Sequence, residues 1–328
     1  MTAFILLRNP NNSHLYNHWV DLIDTPYVYT HKFSNDWMPP EKCSILITHD
    51  TYRPEPCAII ERCVKNDIPV LILSDGILEY RNSWIQKHRV ESGVFNPILG
   101  HKLACIGNSQ IRFLESIKGN SGKCELVGLT RMDEFKVEHS LVDSPTILIC
   151  SSKTPWFSEV DKEFVSKSYF DLKEVVDHFP ENHKVNFKWR ICDDLADMLG
   201  VESTFGSPLK EDLSQSGAVI TMPSTVMLDS MYAKRPVALL DYTLSPHYVQ
   251  AAWTIGSKEA IFPTILELLD PPCAKIAFQQ SILADALQTK ESASGRMVRL
   301  VNEMIKIGGQ VRPTGQKLNF PHKILDSE

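Results

Sequence analysis

The chain has 328 residues, 43% of them hydrophobic and 23% charged. That is the composition of a soluble globular protein long enough for two domains of ordinary size, and its formal charge of −6, with no basic stretch, gives a nucleic-acid partner no support. No apolar run is long enough to span a bilayer, and the eight cysteines form no CxxC pair, the usage of a cytoplasmic protein whose buried thiols stay reduced.

The opening MTAFILLRNPNNSH reads as a strand, Phe4–Leu7, running into a polar loop, and its apolar part is too short for a signal peptide. Ser44–Thr48 is a second strand, and Cys57–Lys65 carries Ile59, Ile60 and Cys63 at helical spacing. Val70–Leu73 is a short buried strand that ends in Ser74-Asp75-Gly76. Leu103–Ile106 leads into Gly107-Asn108-Ser109-Gln110 and a helix to about Ile117, and Cys124–Leu129 is a further strand. Strands alternating with helices in this way predict a parallel sheet covered on both faces.

The polar stretch at about Lys136–Ser144 reads as the crossing between two similar domains, 1–140 and 141–328. After it, Thr146–Cys150 is a strand followed by Ser151-Ser152-Lys153, and an amphipathic helix covers roughly Val160–Phe179. Lys184–Phe187 is a strand followed by Lys188-Trp189-Arg190. The stretch Ser216–Tyr242 organises this half, with strand Ala218–Thr221, a polar turn, a helix at about Thr225–Ala233 and strand Pro236–Leu240. Near the end, Met297, Leu300, Val301, Met304 and Ile305 form one apolar helical stripe, core packing closed by Gly308-Gly309, on a helix that can pack back on the first domain. The expected fold is α/β, two doubly wound Rossmann-like domains facing a cleft.

Several polar clusters stand at strand ends, where open α/β sheets bind ligands. In Met222-Pro223-Ser224-Thr225 two hydroxyls stand where a helix begins, so they either seat a phosphate or cap the helix. Lys188 and Arg190, two apart, share one side of a strand and can offset phosphate charge, or pair with Asp193 and Asp194. Asp75 follows a buried strand, and Gly76 permits a sharp turn there. Glu79, Tyr80, Arg81, Asn82 and Trp84 add the acids, amide, guanidinium and aromatic planes that a sugar uses, while Asp75 can also serve only to cap its turn. Asn108 and Gln110 at the turn before a helix, and Ser151, Ser152 and Lys153 after a strand, are further candidates or ordinary loop chemistry. Asp229 lies one turn inside its helix on the face of Thr225, either as a nucleophile or paired to Lys234, Arg235 or Arg190. No Asp-x-Asp pair of the kind that holds a metal–nucleotide complex occurs, so no metal or cofactor is expected.

The combination of Val219–Thr221, Ser224-Thr225, Asp229 and Arg235-Pro236-Val237 resembles the donor segment of GT-B-type glycosyltransferases that build bacterial surface polysaccharides, and of the polyol-phosphate polymerases of cell walls. Ser74-Asp75-Gly76 with Ser224-Thr225 is similar to the acidic-Gly and Ser/Thr motifs of the CMP-sugar transferases for sialic acid and Kdo. Many of those relatives carry a His-Pro pair where this chain has Lys188-Trp189-Arg190.

The resemblance implies transfer of a sugar from a nucleotide donor, CMP-Kdo-like ahead of UDP- or CDP-linked, to a surface glycan or lipid-linked glycan in capsule or lipopolysaccharide synthesis. Asp75 and Glu79 would act as acid or base, and Asp229 as a covalent nucleophile of the retaining kind. Ser224, Thr225, Lys188, Arg190, Ser151, Ser152 and Lys153 would hold the nucleotide phosphate, and Arg81, Asn82, Trp84, Asn108 and Gln110 the sugar or acceptor. The location implied is cytoplasmic, at the inner face of the membrane where the acceptor is lipid-linked, with a larger polysaccharide-assembly complex as a compatible partner. A nucleotide-sugar epimerase of the UDP-GlcNAc 2-epimerase type and a non-catalytic glycan-binding module are the alternatives, because one fold serves several functions.

Overall fold

Runs of four to six apolar residues bounded by Pro, Ser or Asp are suited to parallel strands, which are covered on both faces by their crossover helices. The computed structural model describes residues 1–7, 9–31, 34, 36–80, 94–137, 145–243, 245–311 and 315–325. The chain divides into two compact units. One comprises Met1–Leu78, Asn82–Asp133 and Asp285–Glu328, the other Glu79–Arg81 and Glu134–Ala284.

In the first unit, β1 (Thr2–Leu6), β2 (Tyr27–Thr30), β3 (Cys43–Thr48), β4 (Val70–Leu73), β5 (Lys102–Cys105) and β6 (Cys124–Leu126) form one sheet in the order β2-β1-β3-β4-β5-β6. All five pairings are parallel. Helix α1 (Pro54–Lys65) joins β3 to β4, and α2 (Asn108–Glu115) joins β5 to β6. The core sets Ile45, Ile47, Leu71 and Leu73 against Tyr16, Trp19 and the stripe Met297, Leu300, Val301 and Met304.

That stripe belongs to a helix, Ala293–Val311, which runs through Gly308-Gly309 instead of ending there. The glycine at 308 has a different reason: a Cβ on it would lie 2.4 Å from Pro69 Cγ. Close approach, and not a helix stop, demands the missing side chain.

In the second unit, β7 (Thr146–Cys150), β8 (Asn186–Arg190), β9 (Ala218–Thr221), β10 (Val237–Leu240) and β11 (Trp253–Ile255) form a sheet in the order β11-β10-β9-β7-β8, again parallel throughout. Helices α3 (Glu159–Asp177), α4 (Asp193–Leu199), α5 (Leu209–Ser214), α6 (Val226–Tyr232), α7 (Ile261–Leu269) and α8 (Cys273–Ala286) follow in chain order, and Ala293–Val311 above is α9. Ser158 opens α3 by accepting the Asp161 amide at 3.1 Å. Ile147, Ile149, Ile220, Ala238 and Leu240 pack on Tyr169 and Leu172 of α3.

Strand β8 begins two residues later than the sequence suggests and takes in Lys188-Trp189-Arg190. Lys184, at φ 49°, is left-handed and closes the preceding turn, so it cannot join a strand. Seven cysteines are buried free thiols, while Cys273 is exposed. Among the described residues no helix is long and apolar enough to cross a membrane.

Candidate functional site

In a doubly wound sheet, ligands settle beyond the carboxyl ends of the strands, where successive connections switch sides. In the second unit the chain passes from β7 to β8 on one side and then to β9 on the other, so the switch falls between β7 and β9. The loops bounding that point are Ser151-Ser152-Lys153 and Met222-Pro223-Ser224-Thr225. They touch: the Ser152 hydroxyl lies 3.5 Å from Met222 Sδ.

Within the first loop, Ser151 is a brace. Buried, it donates to the Ser152 carbonyl at 2.9 Å and accepts the Cys192 amide at 2.8 Å. Ser152 is half-buried and Lys153 exposed. In the second loop, Ser224 is buried with its Oγ 3.3 Å from Thr221 Oγ1, and Thr225 is half-buried. The helix-capping role open to Thr225 is not taken up, because it already has helical dihedrals (φ −62°, ψ −21°) and makes no side-chain cap bond. A capping side chain normally projects from an extended residue.

The expected cations are committed elsewhere. Alternation along β8 puts Lys188 and Arg190 on one side, and both close on Asp212 of α5, at 2.8 and 2.9 Å. Thr204 donates a further hydrogen bond to that carboxylate, and Lys188 reaches Gln215 Oε1 at 3.0 Å. Asp212 is 1% exposed. The partner is therefore Asp212, not Asp193 or Asp194, and a buried carboxylate that answers two cations is a structural network. Asp229 is likewise enclosed, at 3% exposure. Arg235, also buried, donates to the Leu213 carbonyl through Nε and Nη2, and burial lowers its pKa.

A pair absent from the sequence reading stands at the end of β10. Asp241 Oδ2 lies 2.6 Å from His247 Nε2, and the Thr243 amide donates to Oδ1 at 2.8 Å. Burial pushes the Asp241 carboxyl up, but the bonds from His247 and Thr243 outweigh it and hold its pKa below the usual carboxylate range. An acid just past a buried strand and a histidine six residues on, after Pro246, was the available signal.

In the first unit, Ser74-Asp75-Gly76 turns at the end of β4. Ser74 donates to the Gly76 carbonyl at 3.1 Å, and Gln110 donates to Ser74 Oγ at 2.9 Å while accepting the Ile106 amide at 2.9 Å. Gln110 is thus buried and fully engaged as a brace for the turn, whereas Asn108 is exposed at the start of α2. Asp75 is exposed and lines a small cavity of about 30 Å³ with His14, Thr130, Arg131 and Met297.

Glu79 is half-buried and groups with the second unit, as does Tyr80, whose ring lies 6.1 Å from that of Tyr248. Arg81, Asn82 and Trp84, and most of the stretch Lys136–Ser144, lie outside the described residues. Among the described residues no group of three or more His, Cys, Asp or Glu is placed to hold a metal ion.

No protein-family model matches the sequence, and no curated protein sequence matches it. Solved structures do match in fold. Staphylococcus aureus MnaA bound to UDP superposes with a TM-score of 0.63 at 12% identity, over 93% of this chain and 96% of that one. A putative UDP-N-acetylglucosamine 2-epimerase from Listeria monocytogenes gives 0.60 at 11% identity, over 97% and 98%. A variant of the wall teichoic acid polymerase TagF soaked with CDPG gives 0.58 at 11% identity, over 93% and 88%. The chain therefore has the GT-B-type fold of two Rossmann-like domains.

Proposed function

We propose that this protein is a glycosyltransferase that moves a sugar from a nucleotide donor to a bacterial surface glycan. The observation that carries the reading is the pair of loops meeting at the β7/β9 switch point, which between them carry Ser152, Ser224 and Thr225. A nucleotide phosphate needs such donors, and the matched folds include proteins solved with UDP and with CDPG. To Asp75, exposed just past the end of β4, we assign the base that takes the acceptor's proton, because that step needs a carboxylate open to substrate. Gln110 holds the Asp75 turn in place.

Asp229 we leave with the fold, since a nucleophile must reach the anomeric carbon and this carboxylate is enclosed. A CMP-linked keto-sugar of the Kdo type is the first donor to try, then UDP- and CDP-sugars, in a metal-independent, cytoplasmic reaction on a glycan or lipid-linked acceptor.

A second reading, epimerisation of a nucleotide sugar, is favoured by the likeness to the Listeria epimerase. Proton NMR of the protein with CMP-, UDP- and CDP-sugars separates the two. Release of the nucleotide, faster with glycan acceptor, supports transfer, while new sugar signals with the nucleotide still attached support epimerisation. No change with any of them leaves a binding module.

A further inference from the structure

If a nucleotide phosphate is received at the second unit's switch point, something there must answer its charge. The two cations on β8 are both held by buried Asp212, which offsets one of their two charges and turns them toward α5. One strand beyond β9, the carboxyl end of β10 carries a different device. The β9–β10 register pairs Leu239 with Thr221, and paired residues in a parallel ladder share a face. Asp241, two residues past Leu239, is therefore on the face of Thr221, whose hydroxyl touches Ser224. Adjacent strands stand about 4.8 Å apart, so Asp241 starts beside the Met222–Thr225 turn.

We propose that His247, held by Asp241, is the cationic group that meets the nucleotide phosphate in this unit; the inference rests on the nucleotide-sugar reading above. Asp241 is buried and fixed by the Thr243 amide and by β11, whose Ile255 carbonyl accepts its own amide at 3.0 Å. Its bond at Nε2 orients the ring, and the imidazolium form carries a second N–H, at Nδ1, for a phosphate oxygen. His247 keeps part of its side chain exposed, as a ligand-binding group must. Among the described residues the charge paired with the ring is the Asp241 carboxylate. Asp171 and Lys167 of α3, with Glu259, act instead on the neighbouring Tyr242, whose side chain leaves the opposite face of the strand. Asp241 is thus a positioning residue and His247 a binding residue.

The test is calorimetric binding of CMP, UDP and CDP to wild type and to His247→Gln, in which the amide can keep the Asp241 bond but cannot become a cation. The variant should bind about tenfold more weakly or worse at pH 6.0, the scale of a charge-assisted hydrogen bond, and at most about threefold more weakly at pH 8.0. The phosphate titrates in both proteins and cancels in that ratio, and cytidine and uridine should bind both proteins equally. A ratio that does not change with pH overturns the assignment. In wild type, the His247 ring NMR signals should titrate at higher pH when UDP is bound, and an unmoved midpoint overturns it as well, whatever the variant does. If neither protein binds any nucleotide, the reading beneath it has failed, which is a different result.

Discussion

His101, just ahead of β5, is built to be neutral, and acid should show it. Its Nδ1 accepts the Val70 amide at 3.1 Å, and its ring lies 5.3 Å from Phe320, nearly edge-on. Burial first, and Lys123 second, lower its pKa from 6.5 to about 4, against a weaker pull from Asp67. A depressed histidine binds its proton more readily in the unfolded chain, so stability rises with pH between about 4 and 6.5. The loss is negligible at pH 7.5, begins as pH falls through 6.5 and is complete below 4. With those two values it reaches about 2 kcal/mol at pH 5.0 and about 3 kcal/mol at its limit. In His101→Asn the amide oxygen can replace Nδ1 as acceptor but carries no titration. Urea unfolding of both proteins at pH 7.5 and 5.0 gives the double difference, in which the carboxylates cancel. Wild type should lose about 2 kcal/mol more than the variant. Equal losses would refute the reasoning.

Four further substitutions probe the same unit. Glu125→Gln strips the anion from buried Lys102, which bonds it at 2.7 Å along with the Pro321 and His322 carbonyls. It should cost about 3–5 kcal/mol by chemical unfolding and expose the segment near residue 320 to protease. Gln110→Ala leaves the Ile106 amide without its acceptor and the Ser74 hydroxyl without its donor, for about 1–3 kcal/mol by thermal melting, and should lower turnover by loosening Asp75. Gly308→Ala forces a Cβ against Pro69 and should cost about 1–3 kcal/mol, whereas Gly309→Ala, with open space around it, should be neutral or stabilising.

Strands β4, β7 and β9 are readable to the residue because each is a run of four or five mostly apolar residues with polar or Gly/Pro punctuation. Parallel order follows from their alternation with helices. Edge strand β2, four residues long and only half-buried, has no such contrast with its surroundings. Lys184 misleads because a left-handed residue is invisible in composition. The candidate site is legible as a set of strand ends, which is how Ser152, Ser224 and Thr225 enter it as candidates. Partners distant in sequence were not. Asp212 stands 22 residues beyond Arg190, and Gln110 reaches back across 36 residues to Ser74. Side chains that look like ligands prove to be braces when such a partner arrives from another element.

The central claim is that the second unit receives a nucleotide where the loops after β7 and β9 meet. The most direct measurement is an amide NMR titration with CMP, UDP and CDP. The largest shifts are expected at Ser152, Ser224 and Thr225 with at least one of them. Spectra that do not move, or shifts confined to residues away from these loops, would contradict it.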